Sequence, residues 1–86
     1  MSKYSFIIPI YNEELTIAKV IQDIKKKCTD ISNIEKYEIL VIDDNSTDNS
    51  GNIVSEFNEV KYIKNLSNFG YGFSLKIGIR QAIYAN

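Results

Sequence analysis

The sequence predicts an α/β layered domain on a short parallel sheet, and three observations carry that reading. Three apolar runs alternate with longer segments of mixed character. The first two runs are nearly continuous in apolar residues, as strands buried on both faces are. The mixed segments repeat apolar residues at helical spacing, so they read as crossovers between parallel strands, and such crossovers are right-handed. The expectation is three strands in spatial order 3-2-1 between helices on both faces, a three-layer α/β/α arrangement.

Each element follows in order. Ser5-Phe6-Ile7-Ile8-Pro9-Ile10 is the first strand. Ile17, Val20, Ile21, Ile24 and Cys28 then recur on one helical face, with Lys19, Gln22, Asp23 and Lys26 off it. Asn12 is expected to cap this helix, with Glu13 and Glu14 in its first turn and Lys25-Lys26-Lys27 in its last. Thr29 to Lys36 reads as a polar connector. Glu38-Ile39-Leu40-Val41-Ile42 is the second strand, and Ile53, Val54 and Phe57 mark a short helix with Ser46 as expected N-cap and Asp48 in its first turn. Val60-Lys61-Tyr62-Ile63 is a weaker third strand. Leu75, Ile79, Ala82 and Ile83 mark a third helix, where Gly78 permits close packing on the sheet.

Composition narrows the function. A chain of 86 residues makes one small domain, residues 1–86, and not two. Hydrophobic residues at 44% and charged residues at 24% are ordinary for a globular protein and argue against disorder. A net charge of −1 offers neither a nucleic-acid footprint nor a polybasic membrane anchor. Without histidine, Ser-His-Asp and Cys-His catalysis and histidine-ligated zinc are all excluded, and the single Cys28 allows no intrachain disulfide. No apolar stretch reaches signal-peptide or transmembrane length, so a cytoplasmic location is expected. Asn45-Ser46-Thr47 and Asn65-Leu66-Ser67 match the glycosylation sequon, but with no secretion signal they read as chance matches.

The chemistry-bearing residues fall just after the strand ends, which form one rim where ligands bind in an open parallel sheet. After the first strand, Tyr11 offers a ring for stacking on a base. After the second, Asp43 and Asp44 stand side by side at a buried strand end. Adjacent carboxylates there repel and lose hydration, so a ribose hydroxyl, a base N–H or a metal ion is expected to compensate them. A calcium loop is ruled out, because its glycine and its final glutamate are missing in either register. In Asn68-Phe69-Gly70-Tyr71-Gly72, the two glycines let the backbone approach a ligand at a helix N-terminus. The segment is neither a dinucleotide fingerprint nor a Walker loop, since Leu75 replaces a required glycine and no Gly-Lys-Ser/Thr occurs.

Together the three segments resemble glycosyltransferase family 2, whose catalytic domain has the GT-A fold. Ile8-Pro9-Ile10-Tyr11-Asn12-Glu13 matches its first-strand signature, and Glu38 to Asp48 matches the second. Asn68-Phe69-Gly70-Tyr71-Gly72 with Gly78 and Ala82 is similar to the third, in the form found in dolichyl-phosphate mannose synthase and related polyprenyl-phosphate sugar transferases. The resemblance implies a Rossmann-like half that binds a nucleotide-diphosphate sugar. It implies that Pro9, Tyr11 and Glu13 line a base and ribose pocket and that Asp44, with Asp43 beside it, accepts a hydrogen bond from the base. It implies that Gly70 and Gly72 border the diphosphate, and it leaves Lys76 either facing phosphate or facing solvent. The Mg²⁺ or Mn²⁺ of the full-length enzyme is held in this family by an Asp-x-Asp segment that, like the catalytic base, lies beyond the third helix. The acceptor implied is a polyprenyl phosphate at the membrane surface.

The chain therefore reads as the truncated N-terminal part of such an enzyme, inactive alone. The alternative is a non-catalytic nucleotide-binding module that pairs with a partner chain. A phosphoacceptor receiver fits poorly, because its acceptor would stand where this chain has Lys64-Asn65. The first strand should lie at an open sheet edge, and Phe6-Ile7-Ile8 there invites self-association.

Overall fold

The computed structural model describes residues 2–84. The chain runs β1 (Ser2–Ile10), α1 (Ile17–Asp30), β2 (Ile34–Asp43), α2 (Ser50–Ser55), β3 (Lys61–Lys64) and α3 (Tyr71–Gln81). All strands are parallel in the order β1-β2-β3, the arrangement the alternation of elements predicts. The register sets Ile8 beside Val41 and Ile10 beside Asp43, while the short β3 pairs only with Leu40–Asp43. The strand ends at Ile10, Asp43 and Lys64 therefore come level along one rim.

Strand alternation splits the core in two. Ile10, Ile39 and Val41 face one side and pack with Ile17 and Ile21 of α1 and Val54 of α2, all buried. Leu40 and Ile42, fully buried, face the other side, where α3 lies on β1 and β2. Burying each such aliphatic side chain contributes about 1.5–3 kcal/mol. Gly78 lets α3 lie close against the sheet: a Cβ there would overlap Ile7 Cγ2 and stand 3.4 Å from Ile42 Cγ1.

Several local expectations are corrected. β1 begins at Ser2, α1 runs on to Asp30 and β2 starts at Ile34, so the connector from Thr29 to Lys36 shrinks to three residues. Of the cluster Lys25-Lys26-Lys27, only Lys27 lies in the last turn of α1. The inward face of α1 is narrower than its apolar spacing suggests, with Val20 39% exposed. Its N-cap is Thr16, and no acidic residue occupies its first turn. The cap of α2 is Asn49 and not Ser46.

The far end of the sheet is tied by Glu38, which is buried. Its Oε2 accepts from Ser5 Oγ at 2.7 Å and from the Ile83 N–H at 2.6 Å, and its Oε1 from Lys61 Nζ at 2.7 Å. The chain leaving α3 is thus fastened to β1 and β2. Among the described residues, no strand pairs with the outer side of β1.

Candidate functional site

A cavity of about 290 Å³ opens at the rim where β1 and β2 end and α3 begins. Pro9, Tyr11, Glu13 and Asp44 line it, joined by Ile10, Tyr71 and Ser74. Four of the eight residues singled out from sequence thus meet around one space. Asp43, Gly70, Gly72 and Lys76 do not line it.

The two carboxylates are held apart by the pleat. Successive side chains leave a strand on opposite faces, so Asp43 turns to the α1–α2 side and Asp44 to the α3 side. Asp43 Oδ1 accepts from the Ser46 N–H at 2.8 Å, and Oδ2 from the Tyr62 hydroxyl at 2.5 Å. Burial, with the Asp43 carboxylate beside it, pushes the Tyr62 hydroxyl well above the usual phenol range. Asp44 Oδ1 accepts from Asn65 Nδ2 at 2.9 Å and from the Phe69 N–H at 2.8 Å, and Oδ2 from the Gly70 N–H at 2.9 Å. Burial alone would raise the Asp44 carboxyl, but these three donors outweigh it and hold it below the ordinary carboxylate range. The expectation that a ligand or metal must compensate this pair is therefore wrong: the protein compensates both. One acceptor position remains on Asp44 Oδ2.

The β1–α1 loop is built from long-range bonds rather than from a helix cap. Asn12 sits at φ 53°, a left-handed conformation that asparagine tolerates. Its Oδ1 accepts from the N–H groups of Thr47 at 2.9 Å and Asp48 at 3.3 Å, and its own N–H donates to Ser46 Oγ at 2.9 Å. The Glu13 N–H donates to Ser50 Oγ at 2.8 Å, which sets Glu13 at the cavity wall. Asn12 and Ser46 thus bind the two loops together, and each was expected to cap its own helix.

The β3–α3 loop hangs from Asp44. Gly70 is the N-cap of α3 at φ 95°, a conformation that favours glycine. Gly72 and Lys76 are exposed on α3, with nothing within 4 Å of a Cβ placed at Gly72. Tyr71, Ser74 and Asn65 were missed from sequence. In the sequence Asn65 offers a sequon match and a position unsuited to a phosphoacceptor; in the fold it is buried and its amide donates to both Asp44 and Ser74. Its place directly after a strand was the available signal.

A metal is implied by the fold family, and the residues present do not fit one. Among the described residues, no group of three or more histidine, cysteine, aspartate or glutamate side chains could hold an ion. Asp43 and Asp44 point to opposite faces and are occupied by protein donors.

A parallel sheet wound with helices on both faces, with its cavity at the strand ends, is the Rossmann-like layer of a GT-A fold. The family described as Glycosyl transferase family 2 matches residues 5–84, and the chain belongs to it. It is 31% identical to undecaprenyl-phosphate 4-deoxy-4-formamido-L-arabinose transferase of Proteus mirabilis, over 95% of this chain and 26% of that protein. Among solved structures, S. aureus TarS 1–349 in complex with UDP superposes with a TM-score of 0.76 at 25% identity, over 96% of this chain and 25% of TarS. The mannosyltransferase PcManGT from Pyrobaculum calidifontis, in complex with GDP-Man and Mn²⁺, shares the fold with a TM-score of 0.69 at 23% identity, over 92% of this chain and 24% of its own. The chain spans about a quarter of the length of these relatives. Among the described residues, no helix is long and apolar enough to cross a membrane.

Proposed function

We propose that residues 1–86 form the nucleotide-binding part of a glycosyltransferase that moves a sugar from a uridine or guanosine diphosphate sugar to an acceptor. The observation that carries this reading is the rim cavity, where Pro9, Tyr11, Glu13 and Asp44 converge. Tyr11, 46% exposed, presents a ring for stacking on the base. Asp44, held ionised, offers the free position on Oδ2 to a base N–H. The Glu13 carboxylate accepts from a ribose hydroxyl. Gly70 and Gly72 border the diphosphate at the start of α3, and Lys76 supplies a cation towards it. Asp43 supports the site through the Ser46 loop.

The acceptor in this reading is a polyprenyl phosphate met at the membrane surface from the cytoplasmic side. The name of the Proteus mirabilis relative supports that choice of lipid. The metal that accompanies GDP-Man in PcManGT would act through residues other than these.

Isothermal titration of the chain with UDP and with GDP tests the proposal. Weak, saturable binding of at least one is expected, and its loss on Asp44→Ala by at least about tenfold. Equal affinity of wild type and Asp44→Ala would remove Asp44 from the site. No binding of either nucleotide by a folded wild type would overturn the reading.

A further inference from the structure

We infer that Tyr71 is the second wall of a base clamp, its ring stacking on the face of the bound base that Tyr11 leaves open. The inference rests on the nucleotide-binding reading above and adds to it an aromatic residue from α3. Tyr71 lines the rim cavity and is 69% exposed, so its ring is accessible to a ligand there. An exposed aromatic side chain is by itself ordinary. The surroundings single this one out. Phe69 and Phe73, two positions to either side, pair with each other at a centroid distance of 4.7 Å, while Tyr71 joins no aromatic pair among the described residues. With about 3.6 residues per turn, Tyr71 leaves α3 roughly half a turn away from Phe73 and on the same side as Ser74, which also lines the cavity.

Two layers of the fold deliver the two rings. Tyr11 follows the end of β1, and Tyr71 opens α3, which lies on β1 and β2. Ile7 of β1 faces Gly78 of α3, so by strand alternation Pro9, and after it Tyr11, stand on the α3 side of the sheet. Asp44 lines the same cavity, and its Oδ2 accepts from the Gly70 N–H at 2.9 Å. Tyr71 is the next residue, about 3.8 Å further along the Cα trace. The carboxylate that takes a base N–H in this reading therefore also fixes the root of the Tyr71 ring. A base held at its edge by Asp44 has two π faces, and Tyr11 meets one from the sheet while Tyr71 meets the other from the helix. An uncharged ring offers little to a diphosphate, and a flat heteroaromatic base is the part of the ligand it complements.

UDP and GDP, which carry no donor sugar, are titrated into wild type, Tyr71→Ala and Tyr71→Trp. Tyr71→Ala should weaken the tighter-binding nucleotide by at least about fivefold. Tyr71→Trp should recover that affinity, because it supplies a larger ring without the phenol hydroxyl. The chain has no tryptophan of its own, so the indole of Tyr71→Trp reports stacking directly, and its emission should fall as nucleotide saturates the site. Equal affinity of wild type and Tyr71→Ala would overturn the inference while leaving nucleotide binding intact. So would a Tyr71→Trp as weak as Tyr71→Ala, which would assign the loss to the hydroxyl, or an emission unchanged at saturation. No binding by wild type would overturn this inference together with the reading beneath it. If Tyr71→Ala loses its far-ultraviolet circular dichroism, Tyr71→Leu replaces it in the same comparison, since it keeps apolar bulk without a π face.

Discussion

Asn65 Nδ2 donates to Asp44 Oδ1 at 2.9 Å, and this bond joins the end of β2 to the loop that starts α3. With the Phe69 and Gly70 N–H groups on the same carboxylate, Asp44 organises the loop as well as facing the cavity. Asp44→Ala should therefore lower stability by at least about 2 kcal/mol, since it strands three donors. Urea unfolding checks this, and a stability equal to wild type would show that the loop is not held by Asp44.

The glycines of α3 should divide by cause. Gly78→Ala forces a methyl into Ile7, so a cost of about 1–3 kcal/mol should outweigh the gain in helix propensity. Gly70→Ala meets no atom within 4 Å and should lose about 1–2 kcal/mol through its φ of 95° alone. Gly72→Ala has open space and should be neutral or slightly stabilising. Denaturant midpoints of the three variants decide the order, and a Gly78→Ala as stable as Gly72→Ala would contradict the close packing.

Glu38 should make the fold acid-sensitive. Burial would raise its carboxyl, but bonds from Lys61, Ser5 and the Ile83 N–H outweigh burial and hold it below its ordinary value near 4.5. A carboxyl with a lowered folded-state pKa contributes stability above its unfolded value and loses it as pH falls through the folded one. Wild type should weaken between pH 5 and pH 3, on the order of the carboxylate range. Glu38→Gln should be less stable than wild type at neutral pH and should show a shallower decline on acidification. Parallel slopes in urea melts would exclude Glu38 as a source.

Tyr62 should ionise well above the usual phenol range, because burial and Asp43 both oppose its phenolate. Its contribution to stability is complete below about pH 10 and declines as pH rises beyond it. Absorbance titration near 295 nm should lose a step above the usual phenol range in Tyr62→Phe, and an unchanged curve would refute the assignment.

The outer side of β1 should promote self-association, because an unpaired strand edge offers free N–H and C=O groups. Pro9 interrupts that row only near one end. A light-scattering dilution series should show mass rising with concentration. The chain should also show no sugar transfer. A stable monomer with transferase turnover would overturn both expectations.

The sheet, its order and the rim were legible in the residues because they rest on local information. Apolar runs such as Glu38–Ile42 and the 3.6-residue repeat from Ile17 to Cys28 betray strand and helix wherever the chain then goes. Parallel crossovers follow from handedness, and the level strand ends follow from both. Even Gly78 could be read, since a glycine inside an apolar helical face has few other reasons to be there.

What only the tertiary structure decided is who bonds to whom. Asn12 and Ser46 look like caps for the helices that follow them, because capping rules match a side chain to the nearest free N–H. Folding brings them within 2.9 Å across 34 positions of sequence, and the left-handed turn at Asn12 takes it out of its own helix. Asp43 and Asp44 look like a repelling pair until the pleat sends them to opposite faces. The bonds from Asn65 to Asp44 and Ser74 cannot be read in advance, since hydrogen bonds between distant segments leave no period behind in the chain.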